Sequence, residues 1–175
     1  MKKLLTTISL ALTLCLSLTT VFAAPSINKN GAVKKDSILI NGEKVDANTT
    51  AAFDSKKETY SAAGVSDETI DVIEKVNANP SQLASLIKGV DLSGYSLLTE
   101  FQDLSVYVNG ELKQKVKNVT LTWEVPNLVK TAKNVKVLHY STERNTWEIL
   151  TPKSVDFDNK TITQEFKDLS PVAVI

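Results

Sequence analysis

The most regular pattern of apolar and polar positions lies between Val116 and Ile175. Val119, Leu121, Trp123 and Val125 alternate with Thr120, Thr122 and Glu124. A strand turns successive side chains to opposite faces, so this spelling predicts one apolar face and one polar face. The alternation returns at Val135–Val137, Trp147–Ile149, Ile162–Phe166 and Pro171–Val174. Between these runs stand Pro126–Asn127, Thr142–Asn145, Thr151–Pro152 and Asp158–Asn159, all rich in turn-forming residues. Short, half-buried strands at close spacing predict an antiparallel β-sandwich.

Upstream the periodicity changes. Ser37–Val45 reads as a hairpin around Asn41–Gly42, and Leu104–Val116 as a second around Asn109–Gly110, since Asn-Gly suits the tight turns that join paired strands. Asn48–Val65 shows little period and predicts mostly loop, with at most a short strand near Thr59–Tyr60. Ser66 then caps a helix whose stripe is Ile70, Ile73 and Val76, and the acids Asp67 and Glu68 complement its positive end. Asn79 and Pro80 open a second short helix carrying Leu83, Leu86, Ile87 and Val90, closed by Gly89. Two short amphipathic helices are marginal alone in water and must pack on the sandwich. Tyr95–Phe101 reads as a further strand. The predicted fold is mainly β: an antiparallel β-sandwich with two short helices packed on it.

The start of the chain changes where the protein is expected to work. Lys2 and Lys3 precede an apolar run from Leu4 to about Leu18, and Val21 and Ala23 occupy the small-residue positions before a cleavage site. This is the pattern of a secretory signal peptide, and the run is too short for a membrane span. Residues 1–23 are therefore read as signal, 24–36 as a flexible leader, and 37–175 as one sandwich domain with a helical insertion at about 66–90. Cys15, preceded by Leu14, falls inside the signal and is discarded with it. The remaining 152 of 175 residues then hold no cysteine, and losing Lys2 and Lys3 leaves 18 basic against 20 acidic side chains, a formal charge of −2. Such a chain must be held by its core and not by disulfides. It would not strongly attract nucleic acid or an anionic membrane surface.

Residues Val137–Tyr140, Trp147–Leu150 and Asp168–Val174 carry a resemblance. Over roughly residues 91–175 the chain resembles a β-sandwich module of uncharacterised secreted and surface proteins of Gram-positive, clostridia-like bacteria, which share a VP…VLHY…W…LSPVAI pattern. The resemblance implies a secreted sandwich closed by its last strand. It implies no catalytic residue. The chain departs from the larger surface proteins in showing no wall anchor and no flanking modules.

Candidate chemistry is sparse. The single histidine, His139, sits within an expected strand and faces inward if Val135 and Val137 do, so it reads as a packed residue and not a catalyst. Ser85–Lys88 and Ser26–Lys29 both match Ser-x-x-Lys, but the companion motifs of penicillin-recognising enzymes are missing. Asp156, Asp158 and Asn159 open like a calcium loop, yet Thr161 and Lys167 stand where glycine and glutamate are needed. A capped hairpin turn is the simpler reading, and neither a metal nor a cofactor is expected. Trp123 belongs to the apolar face. Tyr107, Tyr140 and Trp147 remain as candidate binding residues, able to form a flat strip for sugar or peptide if they face outward. The expectation is a secreted, non-enzymatic interaction module, extracellular or associated with the cell envelope, with a protein or glycan partner. The alternative is a soluble glycan- or peptide-binding protein.

Overall fold

The computed structural model describes residues 27–113 and 115–175. The expected signal peptide, Cys15 included, and its cleavage site lie outside them. Two antiparallel sheets are built from eleven strands numbered in chain order. The first joins β1 (Leu39–Ile40), β2 (Glu43–Lys44), β6 (Lys117–Glu124), β9 (Ser154–Asp156) and β10 (Thr161–Asp168), in the order β2-β1-β6-β10-β9. The second joins β3 (Thr49–Asp54), β4 (Gln102–Val108), β5 (Glu111–Lys113), β7 (Val137–Ser141), β8 (Thr146–Leu150) and β11 (Pro171–Val174). Its order is β3-β4-β11-β7-β8, with β5 on β4.

The alternation read from the sequence is what packs the two sheets. Val119, Leu121 and Trp123 of β6 and Ile162 and Phe166 of β10 meet Leu104, Val106, Val137, Val172 and Val174 from the second sheet. Each side chain so buried contributes about 1.5–3 kcal/mol. The outer face of the second sheet is apolar as well. Leu138, Tyr140, Ala173 and Ile175 pack there under the helical segment, with Phe101 from the loop before β4. Every residue of β11 is buried, as a central strand covered on both faces requires.

Three short helices form this third layer: α1 (Lys57–Ala62), α2 (Asp67–Ala78) and α3 (Leu83–Leu86). Ser66 caps α2 by accepting from the Thr69 amide, and Ile70, Ile73 and Val76 are its buried stripe. Both Asn-Gly hairpins form, with Asn41, Gly42, Asn109 and Gly110 all at positive φ, the geometry that such turns demand.

Three expectations need correction. Asn48–Val65 is not mostly loop: it supplies β3 and α1, the latter in place of the short strand near Thr59–Tyr60. Tyr95–Phe101 is not a strand. It is tied down one bond at a time, the Leu98 amide donating to the Val174 carbonyl at 2.7 Å. The leader is not loose over residues 27–34. Gly31 and Lys34 donate from their amides to the Glu124 and Thr122 carbonyls of β6, each at 2.8 Å, and Asn30 is buried.

Candidate functional site

The aromatic strip does not exist as an exposed surface. Tyr140 and Trp147 come together, ring centroids 5.1 Å apart and edge-on, and Trp147 meets Phe101 at 5.2 Å. Both belong to the core beneath the helices, where Tyr140 is buried and Trp147 half-buried. Tyr107 pairs with Thr50 and Leu112 at the far end of β4, with β11 intervening between its strand and β7. The helical layer covers the sheet face at Tyr140 and Trp147, so these two form no surface strip with the half-buried Tyr107.

His139 faces the sandwich interior, 1 % exposed, against the Phe166 ring. It stands in a Ser–His–acid arrangement that no sequence motif announced. Its Nε2 lies 2.8 Å from Ser170 Oγ, and its Nδ1 lies 3.6 Å from Glu148 Oε2. The protons run the wrong way for a nucleophile. The Ser170 hydroxyl donates to the Tyr140 carbonyl, so it receives from His139 Nε2–H, which leaves Nδ1 bare and without a partner. Glu148 is engaged by Arg144, which donates to its two oxygens at 2.7 and 2.9 Å. Burial holds the imidazole below its ordinary pKa, against the opposing pull of Asp168 and Glu148. Ser170 has no exposed surface. Activated serine needs its base as proton acceptor and a path to substrate; this group has neither. It works as a tie, extended by Arg144 donating to Asp168 Oδ1 at 3.1 Å and Ser141 to Asp168 Oδ2 at 2.9 Å.

Asp156 accepts from the amides of Asp158 and Asn159 and from the Asn159 side chain. These bonds, those from Asn159 foremost, hold its carboxyl below the usual range. The calcium-like opening is a capped turn.

A different place has the shape of a binding site. A cleft of roughly 640 Å³ runs from α1, past the edge of the second sheet, to β6 and the end of β10. Its origin is a break in that sheet. On one side of β4, β11 pairs with Gln102 and Asp103, and β5 pairs with Val106 to Val108. These registers leave Leu104 and Ser105 without a strand partner on that side. Consecutive residues of an antiparallel strand direct their N–H and C=O to opposite edges, so one of the two presents its peptide groups to the cleft.

Asp103 lies at the floor, 1 % exposed. Its Oδ2 accepts from Ser105 Oγ at 2.8 Å, while the buried Oδ1 has no partner. Burial pushes its carboxyl up to about 6, and Asp54, its register partner on β3, adds to the effect while the Ser105 bond opposes it. The walls mix apolar Ala62, Ala63, Leu112 and Leu169 with Glu58 and the lysines 113, 115 and 117. Lys117 pairs with Glu143 at 2.5 Å and Lys113 with Glu111 at 3.7 Å. Leu112 is 41 % exposed, unusual for a large apolar side chain here. No aromatic ring lines the cleft.

Among the described residues no group of three or more His, Cys, Asp or Glu could hold a metal ion, and no helix is long and apolar enough to cross a membrane. No known family, curated protein or solved structure matches the chain. What stands is the class: a mainly β protein, a sandwich of two antiparallel sheets with helices packed on one outer face.

Proposed function

We propose that this chain is a secreted, non-enzymatic interaction module, acting outside the cell or at its envelope, and that the cleft beside β4 is its binding surface. The cleft carries the reading. It offers an unpaired strand edge, an exposed Leu112 and charged walls, which are features of a recognition surface. The signal-like start and the resemblance to secreted sandwich modules support the location. The Ser170–His139 pair supports the non-enzymatic reading, because its proton arrangement suits cohesion and not attack.

The alternative, a soluble glycan- or peptide-binding protein, uses the same cleft. Without an aromatic ring to stack on a sugar face, its lining favours the peptide arm. The test has two parts. Fractionation of the producing cell should place the protein outside the cytoplasm, with Ala24 as the first residue found by N-terminal sequencing. Ala62→Trp, which fills the cleft from α1, should abolish binding of a random hexapeptide pool without lowering the melting temperature. Binding that survives this substitution would remove the cleft from consideration.

A further inference from the structure

Asp103 poses an energetic problem that the fold does not solve. A buried carboxyl oxygen without a donor costs about 1–3 kcal/mol, more when ionised. The neighbouring groups make this worse, for Asp54 on β3 bears like charge beside it, and the nearby Tyr60 hydroxyl already donates to the Phe101 carbonyl at 2.8 Å. No lysine or arginine pairs with Asp103 among the ion pairs of the described residues. The free oxygen borders the one stretch of β4 whose peptide groups lack a strand partner on the cleft side.

We propose that the cleft binds peptides through a primary ammonium group, received by the Asp103 carboxyl at the cleft floor and by the unpaired main-chain edge of β4 at Leu104–Ser105. This rests on the cleft being the binding surface and names the chemistry that it selects. An ammonium brings three donors and no acceptor, which matches a floor offering a carboxylate oxygen and a strand-edge carbonyl. Its charge offsets the burial that keeps the carboxyl weakly acidic. Leu112 and Leu169 give the following residues of the ligand an apolar wall. The buried acid selects the amine, and the open edge holds the chain that carries it.

The ammonium could come from a peptide N-terminus or from a lysine side chain, and three hexapeptide pools separate these. One has free N-termini and no lysine; one is N-acetylated and contains lysine; one is N-acetylated without lysine. Calorimetric titration of the chain from Ala24 to Ile175 at neutral pH should show the first or second pool binding at least about tenfold tighter than the third. The preference should vanish in Asp103→Asn, and in the wild type at about pH 5, where Asp103 is protonated. Whichever amine-bearing pool binds identifies the source. Equal binding of all three pools, each lost in Ala62→Trp, would overturn the ammonium assignment while leaving the cleft as the binding surface. So would a preference that persists in Asp103→Asn. Absence of binding by every pool would overturn both readings together.

Discussion

The indole Nε1 of Trp123 donates to Oδ1 of Asn30 at 3.0 Å, in the interior of the sandwich. The main-chain N–H of Asn30 donates to Gln102 Oε1 at 2.7 Å, and its side-chain Nδ2 to the same oxygen at 3.3 Å. One residue from the segment before β1 therefore satisfies the buried indole of the first sheet and the buried amide side chain of the second. Removing its side chain leaves the indole without a partner, while the main-chain N–H keeps its bond to Gln102 Oε1. Asn30→Ala should lower unfolding stability by about 1–3 kcal/mol in a urea titration. A loss below about half a kcal/mol, the range of ordinary surface changes, would show that residues 27–34 merely lie on the sandwich.

Gly31 makes a related prediction. A Cβ at this position would stand 2.7 Å from the Glu124 Cβ, closer than two carbons approach without movement. The leader segment and β6 are in backbone contact there, so the clash has little room to relax. Gly31→Ala should cost about 1–3 kcal/mol. Unchanged stability would mean that the bridge between Val33 and Trp123 opens easily.

Stability should depend on pH through two buried groups with opposite signs. Asp103 titrates at about 6 in the folded chain and 3.8 when free. Folding thus favours its protonated form, a contribution complete below about pH 4 and lost as pH rises through about 6. Asp103→Asn should raise stability at neutral pH, by an amount of order 1–3 kcal/mol, and flatten that part of the profile. His139 acts in reverse: burial lowers its pKa from 6.5, so its contribution is present above 6.5 and lost as pH falls below. An Asp103→Asn variant less stable than wild type at pH 7 would refute the assignment of an unpaired buried acid.

Removing residues 169–175 should prevent accumulation of folded protein. The deleted piece contains β11, the middle strand of the second sheet, which pairs with β4 on one side and β7 on the other. Val172 fills the inner core and Ala173 the outer one, and Ser170 takes the His139 tie with it. Terminal residues usually fray without consequence. A truncated chain with a cooperative melt near the full-length temperature would contradict this expectation.

Sequence pattern reached the fold further than it reached the site. Val119–Val125 and Ile162–Phe166 alternate because each belongs to a sheet with one face on the core and one in water, and they form the longest ladder in the structure. The strand at Thr49–Asp54 escaped because Thr49 and Ala51 on its inward side give too little contrast with Thr50 and Ala52, leaving Phe53 as its one large apolar position. Tyr95–Phe101 misled in the other direction. Leu97 and Phe101 are apolar because they fill the helical core, and burial without a paired backbone has no period to read. The aromatic candidates failed for one reason: Tyr140 and Trp147 lie on a face that strand alternation marks as outward, and only the docking of α1–α3 makes it interior. Asp103 was hidden by the same step. Its phase on β4, shared with Ser105 and Tyr107 and opposite to Leu104 and Val106, reads as a solvent-facing position. The cleft itself depends on where β5 stops and β11 begins along β4, a matter of register that turn residues alone do not determine.

The two Asn-Gly corners carry a consequence for how the molecule ages. Asparagine before glycine is the pair most open to intramolecular deamidation, since no side chain shields the glycine nitrogen from the asparagine carbonyl. The reaction inserts an extra backbone methylene when the ring intermediate reopens, and a tight turn with both residues at positive φ does not tolerate the added length. Closed hairpins hold the two groups apart, so damage waits on opening. The Asn41–Gly42 turn is clasped by two residue pairs and by bonds between Asn41 and Asn118, and its modification carries little cost at the cleft. Asn109–Gly110 is clasped by three, but its hairpin delivers Leu112 and Lys113 to the cleft. An old preparation should therefore keep its melting temperature while its binding declines, with the second corner as the clock.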